Sequence, residues 1–148
     1  MKYFKRKHYL SDSHRPQWEA ALEKYRIEYE RAGGDAAIPD DLLYFFKRYG
    51  LHDCEFERYE YRSQPHQQDE VELILPPYRV VFSEVRKATG WKQAIDQVWL
   101  EHELYPQPNG FFQMLVMFEE TDCEIIARGF EAYNINTGEL LRRETTKR

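Results

Sequence analysis

The sequence predicts an α+β domain: two N-terminal helices packed on a mostly antiparallel sheet, a β-meander of about six to seven strands. Three observations carry this expectation. Apolar residues recur at helical spacing as far as Gly50, and after it they recur mostly every second residue. The later apolar runs are separated by short stretches rich in Pro, Gly, Asn and Asp, which favours strands that follow one another across a sheet.

Each element has its own local reason. Met1 to Leu10 alternates loosely and reads as a short strand or an ordered arm. Ser11, Asp12 and Ser13 are capping candidates, and Pro16 suits the first turn of a helix. Trp18, Ala21, Leu22, Tyr25, Tyr29 and Ala32 then form one apolar stripe until Gly33-Gly34 ends it. A second helix opens near Pro39-Asp40-Asp41, with its carboxylates at the positive end of the helix dipole. Leu42, Leu43, Phe45, Phe46 and Tyr49 give it a broad apolar face, and Gly50 stops it.

Cys54, Phe56, Tyr59 and Tyr61 mark the first strand. The step from 56 to 59 breaks alternation, so a bulge is expected near Arg58. Val71, Leu73 and Leu75 form the next strand, closed by Pro76-Pro77, and Val80 and Phe82 belong to a third. Ala88-Thr89-Gly90 is a break, and 91–98 fits a helical turn or a strand equally well. Trp99 to Tyr105 reads as a strand and Pro106 to Gly110 as a turn. Phe111 to Phe118 is apolar on both faces, as in a covered central strand. Cys123 to Ala127 returns the chain. Phe130 to Ile135 and Leu140-Leu141 flank a hairpin turn at Asn136-Thr137-Gly138-Glu139.

The 148 residues fit a single domain, 1–148, with a basic arm over 1–12 and a charged tail over 142–148. The net charge of -5 hides an uneven distribution. Residues 1–15 carry +4 and residues 142–148 carry +3, so the body between them carries -12. An acidic body repels phosphate backbones, so duplex nucleic acid is not the expected partner and a cationic protein is. The rings and cations of the arm also raise single-strand binding, although Tyr3 and Phe4 tucked inward explain them as well. No apolar run is longer than Leu42 to Phe46, which is too short to span a bilayer. No secretory signal is apparent, and Cys54 and Cys123 read as free thiols of a reduced, cytoplasmic protein.

Chemistry could sit at His52, Asp53, Glu101, His102 and Glu103, with the two cysteines beside them. Imidazole and carboxylate from two segments could hold a divalent metal and activate water, and the His52-Asp53 pair could supply an oriented general base. Neither pair has a strong metal-ligand spacing. Strict alternation places His102 with Leu100 and Leu104, on the face opposite Glu101 and Glu103. The local reading is preferred: Asp53 accepts backbone N–H groups where the chain leaves the helix, and His52 fills the corner. Cys54 is expected to be buried and inert. Phosphate-cradling glycine loops, nucleophile elbows, Cys-x-x-Cys and His-Glu-x-x-His are absent.

Met1-Lys2-Tyr3-Phe4, the Leu51-His52-Asp53-Cys54 corner, Trp99-Leu100-Glu101-His102-Glu103 and the hairpin after it resemble an uncharacterised bacterial family. It is a domain-of-unknown-function family whose members open with a Met-Lys-Tyr-Phe-like stretch. The resemblance implies a bacterial cytosolic setting and brings no activity. Where such families carry Asp in a Trp-Leu-x-Asp-Glu strand, this sequence has His102. The acidic body and helix-then-sheet plan are also similar to small immunity proteins that neutralise basic toxins, at the level of fold. The first expectation is therefore a protein-binding domain, immunity- or adaptor-like, without catalysis or cofactor. The alternative is a small metal-dependent hydrolase using His52, Asp53 and His102.

Overall fold

The computed structural model describes residues 1–143 and has the α+β architecture. The expected tail over 142–148 thus lies, beyond Arg143, outside the described residues. Helices α1 (Arg6–Tyr9), α2 (Arg15–Arg31) and α3 (Asp40–Arg48) precede eight strands. These are β1 (Arg58–Arg62), β2 (Glu70–Leu75), β3 (Tyr78–Ser83), β4 (Lys87–Thr89), β5 (Trp99–Pro106), β6 (Phe112–Phe118), β7 (Asp122–Ala127) and β8 (Gly129–Asn134). They form two antiparallel four-stranded sheets, ordered β1-β2-β3-β8 and β4-β7-β6-β5.

The single meander of the sequence reading is thus divided in two, and hydrogen bonds at two corners show how. At the first corner the β3–β8 ladder continues into the β4–β7 ladder. Arg128 N–H donates to Ser83 O at 3.2 Å, and Arg86 N–H donates to Ile126 O at 2.8 Å. Glu84 bends the chain there with φ 50°, and Arg128 pairs with its carboxylate. At the second corner Glu55 bridges Val98, ahead of β5, while Glu57 N–H donates to Ile74 O of β2 at 2.9 Å. The broken alternation between Phe56 and Tyr59 is therefore a change of partner, not the expected bulge. Segment 53–57 passes from one sheet to the other, and β1 itself pairs in register with β2.

Both sheets face one core. Leu73, Val80 and Phe82 from the first meet Trp99, Phe112, Val116 and Phe118 from the second, all fully buried or nearly so. Side chains alternate across a strand, so this shared interior fixes the register of each ladder. Helix α3 closes the core with Leu42 and Phe45, and the Phe45 and Phe46 rings meet Phe130 of β8 at 5.6 and 5.9 Å. Gly50, at φ 74°, takes the left-handed conformation that ends this helix.

Helix α2 begins one residue before Pro16, but the serines expected to cap it do not, and Ser11 and Ser13 hydrogen-bond to each other instead. The helix and the N-terminal arm cover the outer face of β5 and β6. Phe4 packs there against Leu100, Met117, Trp18 and Tyr25 in a second apolar cluster. Leu22 and Ala32, placed on the apolar stripe by spacing, are exposed. The ambiguous segment 91–98 contains one 3-10 turn, Lys92–Ala94, with Trp91 and Ala94 buried. The outer face of the first sheet is laced by ion pairs of Arg62 and Arg79 with Glu60, Glu70 and Glu72.

Candidate functional site

Leu51-His52-Asp53-Cys54 turns the chain from α3 to the sheet. Leu51 is buried and anchors the turn, Cys54 N–H donates to Leu51 O at 3.0 Å, and Asp53 adopts φ 67°. Asp is one of the few residues with a side chain that enters this region readily. Two backbone bonds then lock the turn to β5: Asp53 N–H to Trp99 O at 2.9 Å and Trp99 N–H to Cys54 O at 3.0 Å.

The side chains point outward. His52 is 54% and Asp53 77% exposed, and the Asp53 Oδ1 lies 3.0 Å from the His52 Nδ1. The other ring nitrogen, Nε2, is 2.7 Å from the Tyr9 hydroxyl at the end of α1. Asp53, His52 and Tyr9 thus form one row, with the carboxylate at ion-pair distance from one ring nitrogen and the Tyr9 hydroxyl hydrogen-bonded to the other. Burial and the carboxylates of Asp53 and Glu101 push the Tyr9 hydroxyl pKa up, which keeps it a donor. The expected local role is half right. Residues 51–54 are a corner, but the Asp53 carboxylate holds the His52 ring and not a set of backbone N–H groups.

His102 does not join this row. A register shift between Trp99 and Glu101 puts Leu100 on the outer face with Phe4 and Met117, instead of beside His102 as alternation predicts. His102 faces the other way, 4.7 Å from the Phe46 ring and 5.9 Å from Trp99 between centroids. Burial among these rings lowers its pKa to about 4, so it is neutral at pH 7. Among the described residues, no three His, Cys, Asp or Glu side chains are grouped to hold a metal ion. His52, Asp53 and His102 therefore do not fit a shared metal centre.

Glu101 stays near His52. Burial raises its carboxyl pKa, while the His102 backbone N–H donates to it at 3.0 Å. Cys54 is half-buried, and burial followed by the Asp53 charge pushes its thiol pKa up. Cys123 is buried deeper and is pushed up to about 12. Both are poor nucleophiles in that state.

Around the corner lies a strip of carboxylates. Glu55 and Asp96 bracket the bridge to Val98, Glu119 accepts the Val98 N–H at 2.8 Å, and Glu120 N–H donates to the Gln97 side chain at 2.8 Å. Asp53, Glu55, Asp96, Glu119 and Glu120 are all exposed, and none pairs with Lys or Arg among the described residues. Leu10, 62% exposed, follows Tyr9 directly.

One residue of consequence escaped the sequence reading, and another has a role it did not foresee. Tyr9 lies 43 positions from His52, and nothing in the arm signals the contact. Glu103 appeared as a candidate for chemistry, but it is a wholly buried carboxylate holding the arm. Comparison with family models, with curated proteins and with solved structures finds no match for the chain.

Proposed function

We propose that the chain is a protein-binding domain of immunity or adaptor type, working in a bacterial cytoplasm and engaging a cationic protein partner. The observation that carries this reading is the strip of five exposed carboxylates beside the Tyr9-His52 corner, free of Lys and Arg partners among the described residues. Unpaired like charges gathered on one side repel each other, and a cationic partner relieves that repulsion while steering encounter. Leu10 and the Tyr9 ring add apolar area at its margin. No helix among the described residues is long and apolar enough to cross a membrane.

The alternative, a metal-dependent hydrolase on His52, Asp53 and His102, has one feature in its favour, the Asp53-oriented imidazole. That feature sits on an exposed turn, and His102 is turned away from it into the rings of Phe46 and Trp99.

The test is a pull-down from source-cell lysate at low and high salt, using the parent and a Glu55→Lys/Glu120→Lys variant. A basic protein held by the parent at low salt, then lost both at high salt and in the variant, supports the reading. Recovery of nothing, or of the same proteins by both forms, overturns it.

A further inference from the structure

The basic arm lies against α2, and the two line an open groove of about 350 Å³, at the small end of the range for small-molecule sites. Its walls are Lys2, Lys5, His8 and Lys24, and its floor is Ala20 and Ala21. We propose that this groove binds a small phosphate-bearing molecule, with the phosphate held by Lys5 and Lys24 and with His8 beside it. The site is separate from the acidic strip and goes beyond the protein-binding reading.

Three observations carry it. First, the cations are available. Lys2 is engaged by Glu28 at 3.1 Å, but Lys5 and Lys24 have no carboxylate within ion-pair distance among the described residues. A larger groove of about 530 Å³ on the first sheet also holds two guanidinium groups, Arg58 and Arg79, yet these are taken by Glu60 and Glu72. An anion there would displace carboxylates; between the lysines it would displace only water.

Second, His8 lacks a partner. Its Nδ1 is buried without a hydrogen bond, as is that of His14, whose ring lies 5.3 Å away. Burial, followed by the charges of Lys7, His14 and Lys5, pushes the His8 pKa down. The other polar residues lining the groove are cationic or neutral: Lys2, Tyr3 and Lys5 from the arm, Gln17 and Lys24 from α2. The Glu28 carboxylate is already bound to Lys2. A dianion would let His8 take up a proton.

Third, two of the three rings that could make this surface a single-strand track are turned away, which leaves only Tyr3 at the groove. Phe4 is buried and stacks on Trp18 at 4.6 Å, and Tyr9 meets Trp18 edge-on at 5.1 Å. Sequence-tolerant strand binding needs such rings free to stack on bases. What remains is a bounded cationic groove with a short apolar floor, which suits a compact phosphate ester better than an extended polyanion.

Isothermal titration at low ionic strength with ribose 5-phosphate, inorganic phosphate, ribose and an oligo(dT) of about ten nucleotides tests this directly. Expected is saturable 1:1 binding of ribose 5-phosphate and none of ribose. Lys5→Ala and Lys24→Ala should each weaken binding about tenfold, and Lys92→Ala on the far side should not. Nitrogen NMR of the His8 ring should show its pKa rising when ribose 5-phosphate is bound. Absence of saturable binding by both phosphates, equal binding by the lysine variants, an unmoved His8 pKa, or binding confined to oligo(dT) would each overturn the assignment.

Discussion

The Glu103 carboxylate, with no exposed surface, accepts the Phe4 backbone N–H at 2.9 Å across 99 positions of sequence. The same group accepts Tyr3 N–H and Lys2 N–H, each at 3.0 Å, and the Tyr105 hydroxyl. An unpaired carboxylate in this place would be strongly destabilising; four donors make it tolerable. Burial and the Glu103 charge together push the Tyr105 pKa up, so its hydroxyl stays protonated and donating. The arm is therefore fastened through its backbone. Lys2 also reaches Glu28, whereas Lys5 and Lys7 form no ion pair among the described residues.

Glu103→Gln should release the arm. The amide turns one acceptor into a donor facing backbone N–H groups and removes the charge, at a cost of about 2–4 kcal/mol. Urea unfolding should show a lower midpoint at unchanged slope, and amides of residues 1–9 should exchange faster. A loss below about 0.5 kcal/mol would mean that the arm is held by Phe4 packing alone.

The open edge of β5 is blunted by one side chain. The Tyr25 hydroxyl accepts the Leu104 N–H at 2.7 Å and donates to Leu104 O at 3.1 Å, taking the place of a neighbouring strand. Tyr25→Phe keeps the ring contacts with Phe4 and Tyr105 but leaves both backbone groups unpaired. Stability should fall by about 1–3 kcal/mol, and the freed edge should promote self-association. Thermal melting and light scattering at several concentrations read both effects. A variant that melts with the parent and stays equally monodisperse would remove Tyr25 from this role.

How far such features were legible in the sequence depends on their range. The ends of α2 and α3 were legible because Gly33, Gly34 and Gly50 act locally, and each has positive φ. The strand positions of Val71, Leu73, Leu75, Val80 and Phe82 followed from alternation, and all five are buried. The division into two sheets was hidden, since it depends on 53–57 finding 96–99 and on the bend at Glu84. The face of Leu100 was misjudged because one register shift at the start of β5 reverses the alternation. The candidate site divided in the same way. His52 and Asp53 are neighbours in sequence and in space, whereas Tyr9 reaches them only through the docking of the arm.

Gly90 marks a close approach that spacing could not reveal. A Cβ there would lie 2.5 Å from the Asp122 carbonyl oxygen, and φ is +86°. The neighbouring atom is backbone of β7 and has little freedom to move. Gly90→Ala should therefore destabilise by about 2–4 kcal/mol, combining left-handed strain with the clash. Gly138→Ala, where φ is +71° but the space is open, should cost only the conformational part, about 1 kcal/mol. Equal losses in the two variants, measured by urea unfolding, would contradict the close contact at Gly90.

His102 predicts a definite acid limb. Its folded pKa of about 4 lies below the ordinary value of 6.5, so the unfolded chain binds more protons between those two pH values. Stability therefore rises with pH across this window. The contribution is complete above about pH 6.5 and is lost as pH falls toward 4, where both states become protonated. Its size is about 2–3 kcal/mol, reduced from the full linkage value because the residue is only half-buried. His102→Leu keeps an apolar side chain against Phe46 and Trp99 and removes the titration. Urea unfolding of parent and variant at intervals from pH 7 to pH 4.5 should show the parent losing stability more steeply, with the difference concentrated below pH 6.5. Parallel curves would mean that the imidazole protonates in place, and that the rings of Phe46 and Trp99 do not hold it neutral.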